Sequence, residues 1–296
     1  MSRAATIGRS AAIRPTRRIW RLSKRATLHL ILIAGSLLML TPFIWALSTS
    51  LKAAKDVFDP HGGVIPNPIS FDAFHSVFTE IAFPLYFLNS VTVTVLIVGF
   101  NVIFDTAAAY AFAKLNFPGR DVIFGVLLVT LMIPSQVNLI PLDRIMVALH
   151  DMIPWLGVNT LSGIVLPSMV QVFGIFLLRQ FFATIPDEVI EAGRLDGAGE
   201  WRILWRIVLP IAAPAIATLM IFVFLNAWND FLWPLLVSNS DANRTLPVGL
   251  TLLSRKNTVN WPETMAGSVV TILPMIVIFL ILQRRFIEGI AAGSVK

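Results

Sequence analysis

EAGRLDGAGEWRILWRIVLP, Glu191 to Pro210, carries Glu191, Arg194, Asp196, Glu200, Arg202 and Arg206, yet long apolar runs stand on both sides of it. The chain around it is 56% hydrophobic and 14% charged, with a mean hydropathy of +0.78. A soluble domain is about a quarter charged. This composition belongs to an integral membrane protein. An ionised side chain at the centre of a bilayer costs about 3 kcal/mol even on the mildest scale. A stretch with six of them has to leave the membrane.

A span needs about 20 mainly apolar residues. Runs of that kind lie at about 27–48, 86–112, 121–146, 157–180, 207–237 and 265–284. They predict an all-α membrane protein with six transmembrane helices. The third run is broken by Pro134, Ser135, Gln136, Asn138 and Pro141, and the fourth contains Pro167 and Gln171. Arg3, Arg9, Arg14, Arg17, Arg18, Arg21, Lys24 and Arg25 precede the first run with no acid among them. Residues 1–26 therefore read as a basic cytoplasmic tail that fixes orientation, and 27–296 as one transmembrane domain. With the N-terminus inside, only Lys52, Lys55, Arg144, Arg244, Arg255 and Lys256 of the 23 Lys and Arg fall outside. The bias predicts N-in, C-in and puts the opening stretch on the inner face, between spans four and five. LNFPGRD (115–121) reads as a short inner turn, FDPHGGVIPNPIS (58–70) as an outer loop with little helix, and SNSDANRTLPVG (238–249) as a polar outer loop.

Several classes are excluded. The basic arm has no aromatic platform beyond Trp20, which argues against nucleic acid, and the run after it is too long for a signal peptide. There is no Cys, hence no disulfide or thiolate metal site. His29, His61, His75 and His150 are scattered without metal spacing, and no Gly-Lys dipeptide exists for a P-loop. No catalytic residues, metal or bound cofactor are expected on this chain.

Within the charged stretch, Thr184 suits a cap, Pro186 an early helical position, and Asp187 and Glu188 the positive end of a helix. Gly197 and Gly199 are expected to stop or bend that helix. A second short helix, Glu200 to Arg206, would present Trp201, Leu204 and Trp205 to the interface and Arg202 and Arg206 to headgroups or a partner. Pro210 would open span five. Small residues at Ala192, Gly193, Gly197 and Ala198 would let another surface approach. From the residues alone, a helix lying on the membrane and a docking site are both open.

The spacing Glu191, Ala192, Gly193, then Gly197, then Ile207, Leu209 and Pro210 resembles the EAA loop of ABC importer permeases. Gly193 stands where that family usually has a second Ala. AAAYAFAKLNFPGRD, IPDEVIEAGRLDGA, NAWNDFLWPLL and RRFIEGIAAGSVK extend the resemblance over about 70–296, toward the smaller, six-span, maltose-type partner of the carbohydrate branch. The resemblance implies a type I ABC importer permease fold in the bacterial inner membrane. It implies a coupling loop at 184–210, with Glu191, Ala192, Gly193, Asp196, Gly197, Ile207, Leu209 and Pro210 as its contact and bend. It further implies a second permease subunit, two copies of a cytoplasmic ATPase that hold the ATP and Mg, and an external binding protein. The C-terminal tail Gly289–Lys296 would reach toward the ATPases. Similar sequences also serve glycerol-3-phosphate importers, so neutral saccharides and anionic substrates both stay open.

Polar groups inside spans are expensive and mark pathways or helix contacts. Asn226, Asn229 and Asp230 fall at i, i+3, i+4 and share a helix face, with Trp228 or Trp233 near enough to stack on a sugar ring. Gln136 and Asn138, with Ser135, follow Pro134 and suit a pathway wall. Asn89, Asn101 and Gln171 suit hydrogen-bonded packing. Asp105 suits a pair with Lys114 or Arg120, or a water-filled route. A self-sufficient secondary transporter would show repeated halves, and none is visible. A membrane scaffold whose loop only recruits a partner is the third reading.

Overall fold

The computed structural model describes residues 15–59, 63–255 and 260–294, with side chains for 24–59, 63–253 and 260–284. Arg3, Arg9 and Arg14 of the basic tail, His61, Lys256 and Lys296 lie outside the described residues, as do the side chains of Arg17, Arg18, Arg21 and of the tail from Gly289. Among the described residues every regular element is helical.

Helix α1 (Pro15–Ser50) holds the first apolar span, Lys24–Ser50. Leu30, Leu38 and Met39 on it are exposed, as expected where hydrocarbon is the solvent. A short helix, α2 (Asp72–Glu80), precedes α3 (Phe83–Lys114), which runs uninterrupted for 32 residues with Pro84 in its first turn. Next come α4 (Arg120–Thr130) and α5 (Leu139–Met152), joined through a 3-10 turn at Ser135–Asn138 and bent by 93°. The pair α6 (Leu161–Val165), prolonged to Ser168, and α7 (Val172–Phe182) is bent by 41°. The charged segment forms α8 (Asp187–Leu195), α9 (Glu200–Ile203), a π turn at Leu204–Val208 and α10 (Leu209–Ile211). An 86° bend then leads into α11 (Ala213–Asn229). The chain closes with α12 (Leu232–Val237), α13 (Leu246–Arg255) and α14 (Trp261–Ser294). Three helices are long and apolar enough to cross a membrane, and up to six spans result if each bent pair counts as one.

Several assignments differ from the sequence reading. Thr184 Oγ1 donates to Phe181 O at 2.7 Å instead of capping α8, whose N-cap residue is Pro186, and Leu204 is buried rather than presented to the interface. Pro210 does not open span five. It sits inside the Glu200–Ile211 run, directly after the π turn, where the widened winding absorbs its missing N–H. The span proper starts at Ala213, with Pro214 in its first turn. It also ends at Asn229 rather than continuing to 237, because Asp230 takes an extended conformation with ψ of 125°. Helices α2 and α13 were not foreseen. Ser70 Oγ accepts from Asp72 N–H at 3.1 Å ahead of α2, and Pro247 lies in the first turn of α13.

Helix α3 is the central element. It packs against α7, α11 and α13, while α14 packs on α1, α2 and α11. One core cluster gathers Leu178, Phe182, Ile190, Ile203 and Leu219 around α3, and a second gathers Phe83, Tyr86, Trp228, Leu246 and Leu253 near its N-terminal end. Ser90, Thr94, Asn101 and Asp105 are buried on α3 at spacings that keep them to one side of the helix. Several of its polar groups meet backbone that other segments leave unpaired. Asn89 Nδ2 donates to the carbonyls of Ala242 and Arg244, each at 2.9 Å. Ser90 Oγ accepts from Leu246 N–H at 2.8 Å. Irregular backbone at membrane depth survives only where such partners or a wet cavity receive it.

Candidate functional site

Two features come out of this frame, a helix-turn-helix segment at the C-terminal end of α3 and a polar cavity between the bent helices.

Helix α8 is amphipathic. Ile190 and Gly193 are buried, while Glu191, Ala192, Leu195, Asp196 and Gly197 are exposed. It ends in a Schellman motif. Ala198 N–H donates to Gly193 O at 3.0 Å and Gly197 N–H to Arg194 O at 3.0 Å, with Gly197 at φ +78°. That left-handed conformation is open to glycine without cost. The expected bend thus resides in Gly197; Gly199, in extended conformation, is the N-cap residue of α9.

The recurring small residues split between two jobs. A Cβ on Gly193 would press on the side chains of Ile207 and Ile203, so this glycine closes α8 onto the following turn rather than onto another molecule. Ile207 is half-buried in that contact, Leu209 is half-buried further along the chain, and Pro210 is exposed. Glu191, Ala192, Asp196 and Gly197 therefore form the outward part. Beside them a surface hollow of about 570 Å³ is lined by Gly197, Gly199, Trp201, Arg202, Trp205 and Arg206.

The segment is fastened to α3 at both ends. Lys114 Nζ donates to Ile185 O at 2.5 Å and to Asp187 Oδ1 at 2.6 Å. This ammonium holds the Asp187 carboxyl below the usual carboxylate range. Tyr110 Oη donates to Glu200 Oε2 at 2.5 Å, and Arg194 Nε donates to Glu200 Oε1 at 2.7 Å. Glu200 thereby joins α3, α8 and α9. Arg179 Nε donates to Phe112 O at 3.3 Å, with its guanidinium 4.1 Å from the Phe124 ring centre. Tyr110 was not singled out in the sequence. Its signal was rarity: the chain has two tyrosines, and both are buried on α3.

The cavity measures about 830 Å³. Ser135, Gln136 and Asn138 from the break after α4 face Asn226, Asn229 and Asp230 from the end of α11, with Ser168, Gln171 and Trp233 between them. The two amide groups proposed from separate runs are thus brought to one space. Asn226 Nδ2 and Asn229 Nδ2 donate to Phe222 O and Leu225 O at 2.9 and 2.7 Å, which leaves their amide oxygens for a ligand. Among the described lining residues, Asp230 is the sole ionisable group.

Trp228 is not on this cavity. Two residues from Asn226, it lies about 200° round the helix. Its ring is buried against Phe224 and Phe87, and Nε1 donates to Thr271 O at 3.1 Å. Trp233 lines the cavity in its place, with Nε1 donating to Gly163 O at 3.2 Å. Asp105 pairs with neither Lys114 nor Arg120. Its Oδ1 accepts from Gln171 N–H at 3.0 Å, at the bend between α6 and α7. Asn101 Nδ2 donates to Ser168 O at 2.7 Å at the same bend. Gln171, expected in packing, has its backbone there and also lines the cavity.

A family model described as binding-protein-dependent transport system inner membrane component matches residues 105–287. The chain is 37% identical over 232 residues to the arabinooligosaccharides transport system permease protein AraQ of Halalkalibacterium halodurans, covering 78% of this chain and 81% of that one. It is 31% identical over 270 residues to the sn-glycerol-3-phosphate transport system permease protein UgpE of Yersinia pestis, covering 88% and 94%. In fold it is similar to a chain of a bacterial ABC transporter involved in the import of the acidic polysaccharide alginate, with a TM-score of 0.76, 24% identity, and coverage of 94% of this chain and 100% of that chain.

Proposed function

Since the chain belongs to the binding-protein-dependent transport system inner membrane components, we propose that it is a pore-forming permease subunit of an ATP-driven importer of sugars or oligosaccharides. The outward face of α8, made of Glu191, Ala192, Asp196 and Gly197 beyond a Schellman turn, is the observation that carries the reading. It offers a short rigid helix with a carboxylate, small residues for close approach, and the exposed apolar Leu195. Such a surface fits a cleft on a cytoplasmic ATPase, which holds the ATP and Mg. Glu191 would make the charged contact and Gly197 would keep the turn. The chain is then oriented N-in, C-in and works with a second permease subunit, two ATPase copies and an external binding protein. Closure of the ATPase pair draws the loops together and switches the access of the cavity.

The cavity favours an uncharged saccharide over an anionic one. Amide and hydroxyl groups from Ser135, Gln136, Asn138, Asn226 and Asn229 suit sugar hydroxyls, while the carboxylate of Asp230 opposes a phosphate or uronate. The test is ATP hydrolysis by the complex that co-purifies with this chain, with its binding protein and with arabinotriose or glycerol-3-phosphate. Hydrolysis rising with arabinotriose supports both readings. A rise only with glycerol-3-phosphate keeps the importer and refutes the neutral substrate. A chain that purifies alone and without ATPase activity refutes the importer.

A further inference from the structure

The contacts of α3 form one continuous line between the two features. Lys114 and Tyr110 grip the α8–α9 segment at Ile185, Asp187 and Glu200. Asp105 and Asn101, one to three turns back along the helix, grip the backbone of Gln171 and Ser168. Those two residues flank the bend of the fourth span, and both also line the cavity. From Lys114 to Asn101 the helix spans about 20 Å at 1.5 Å per residue.

The two ends of this line differ in stiffness. Helix α3 keeps its internal hydrogen bonds over 32 residues. The fourth span is two short helices bent by 41° at a break, and Asp105 and Asn101 supply bonds that its own winding does not. The seat is built closely. A Cβ on Gly174, in the first turn of α7, would collide with the Asp105 carboxylate and with Leu219. Asp105 Oδ2 and Asn101 Oδ1 are buried with no hydrogen-bond partner among the described residues.

We propose that α3 is the transmission rod of this subunit, with Tyr110 and Asp105 as positioning residues that convert movement of the α8–α9 segment into a change of bend at Ser168–Gln171 and hence of the cavity wall. This rests on reading α8 as the ATPase contact. Segments that carry coupling between distant sites need a physical element with two arrangements, and here that element is the broken fourth span.

The experiment measures sugar uptake and ATP hydrolysis together, in the complete complex with its binding protein in lipid vesicles, using arabinotriose as probe. Tyr110→Phe and Asp105→Ala are expected to leave the complex assembled and hydrolysing, and to lower uptake per ATP by roughly two- to thirtyfold. Asp105→Asn, which keeps an acceptor for the Gln171 N–H, is expected to restore the ratio to within about twofold. The Tyr110→Phe, Asp105→Ala double variant should lose no more than the worse single, since both interrupt one line. Variants that lower only the yield of complex, with an unchanged ratio, would show mere packing and overturn the proposal. Losses that multiply in the double variant would overturn it too. A wild-type complex without substrate-stimulated hydrolysis would instead bring down the importer reading on which it stands.

Discussion

Gly197 allows the coupling turn to be tested by backbone conformation alone. Its φ is +78°, and a Cβ built there meets nothing within 4 Å. Gly197→Ala therefore adds no clash, and its whole cost is that of a left-handed L-residue, about 1–2 kcal/mol. At 1.4 kcal/mol per factor of ten, the turn should open about five- to thirtyfold more often. Gly197→Asn adds a larger side chain to the same open space but tolerates that conformation. It should stay within about threefold of wild type. The amides to follow are those of Gly197 and Ala198, which donate the two bonds of the motif to Arg194 O and Gly193 O. Hydrogen–deuterium exchange of a peptide covering 190–200, in the purified complex, reads their opening directly. Equal exchange in Gly197→Ala and Gly197→Asn would refute the reasoning, because sterics would then matter more than φ. Exchange in Gly197→Ala unchanged from wild type would show that the motif does not hold the turn.

Further outcomes follow from the same contacts. Trp228→Ala should cost about 3–5 kcal/mol by emptying the space between Phe87, Phe224 and Thr271, seen as a lower melting temperature of the complex; Asn229→Ala should leave melting nearly unchanged and lower uptake. Asp230→Lys should raise hydrolysis stimulated by glycerol-3-phosphate relative to that by arabinotriose, and an unchanged ratio would remove Asp230 from the pathway. The Asp187 carboxyl is held low by Lys114; its stabilising contribution is full above the unfolded value of about 3.9 and lost as pH falls through the lowered folded value. Asp187→Asn should therefore flatten part of the acid loss of stability below about pH 4 and change nothing between pH 6 and 8, as followed by melting against pH.

The apolar runs and the charged stretch were legible because each is decided by local composition. Spans α1, α3 and α14 needed only length and hydropathy. The turn at Gly197 followed from a glycine placed after an acidic-to-basic helical stretch, and the polar wall of the cavity followed from Asn226, Asn229 and Asp230 at helical spacing. What stayed hidden depends on partners far apart in the chain. Trp228 and Trp233 have the same chemistry in sequence, and only their angle around the broken helix decides that one packs and the other lines the cavity. The general preference of proline puts Pro210 at a helix start. The π turn before it, which lets the helix continue, has no comparable local signature.

Asp105 shows why a polar residue in an apolar run is best read against breaks elsewhere. A buried unpaired polar group costs about 1–3 kcal/mol, so a helix that carries several must find them partners. The backbone of α3 itself can serve only in part: its carbonyls can take a second bond, as Ile97 O does from Asn101 Nδ2 at 2.8 Å, but its interior N–H groups are already used. The available groups are backbone N–H and C=O atoms freed where another helix stops. Four buried polar positions on α3 meet such a place: Asn89 the loop before Leu246, Ser90 the start of α13, Asn101 and Asp105 the bend at Ser168–Gln171, while Tyr110 instead meets the Glu200 side chain. Prolines and glycines mark where the breaks fall, and the spacing of polar residues on the unbroken helix marks which breaks it must hold. Neither pattern fixes the arrangement by itself. Together they account for a bent fourth span that stays ordered beside a cavity of about 830 Å³, and for an acid inside a membrane helix that pairs with no base among the described residues.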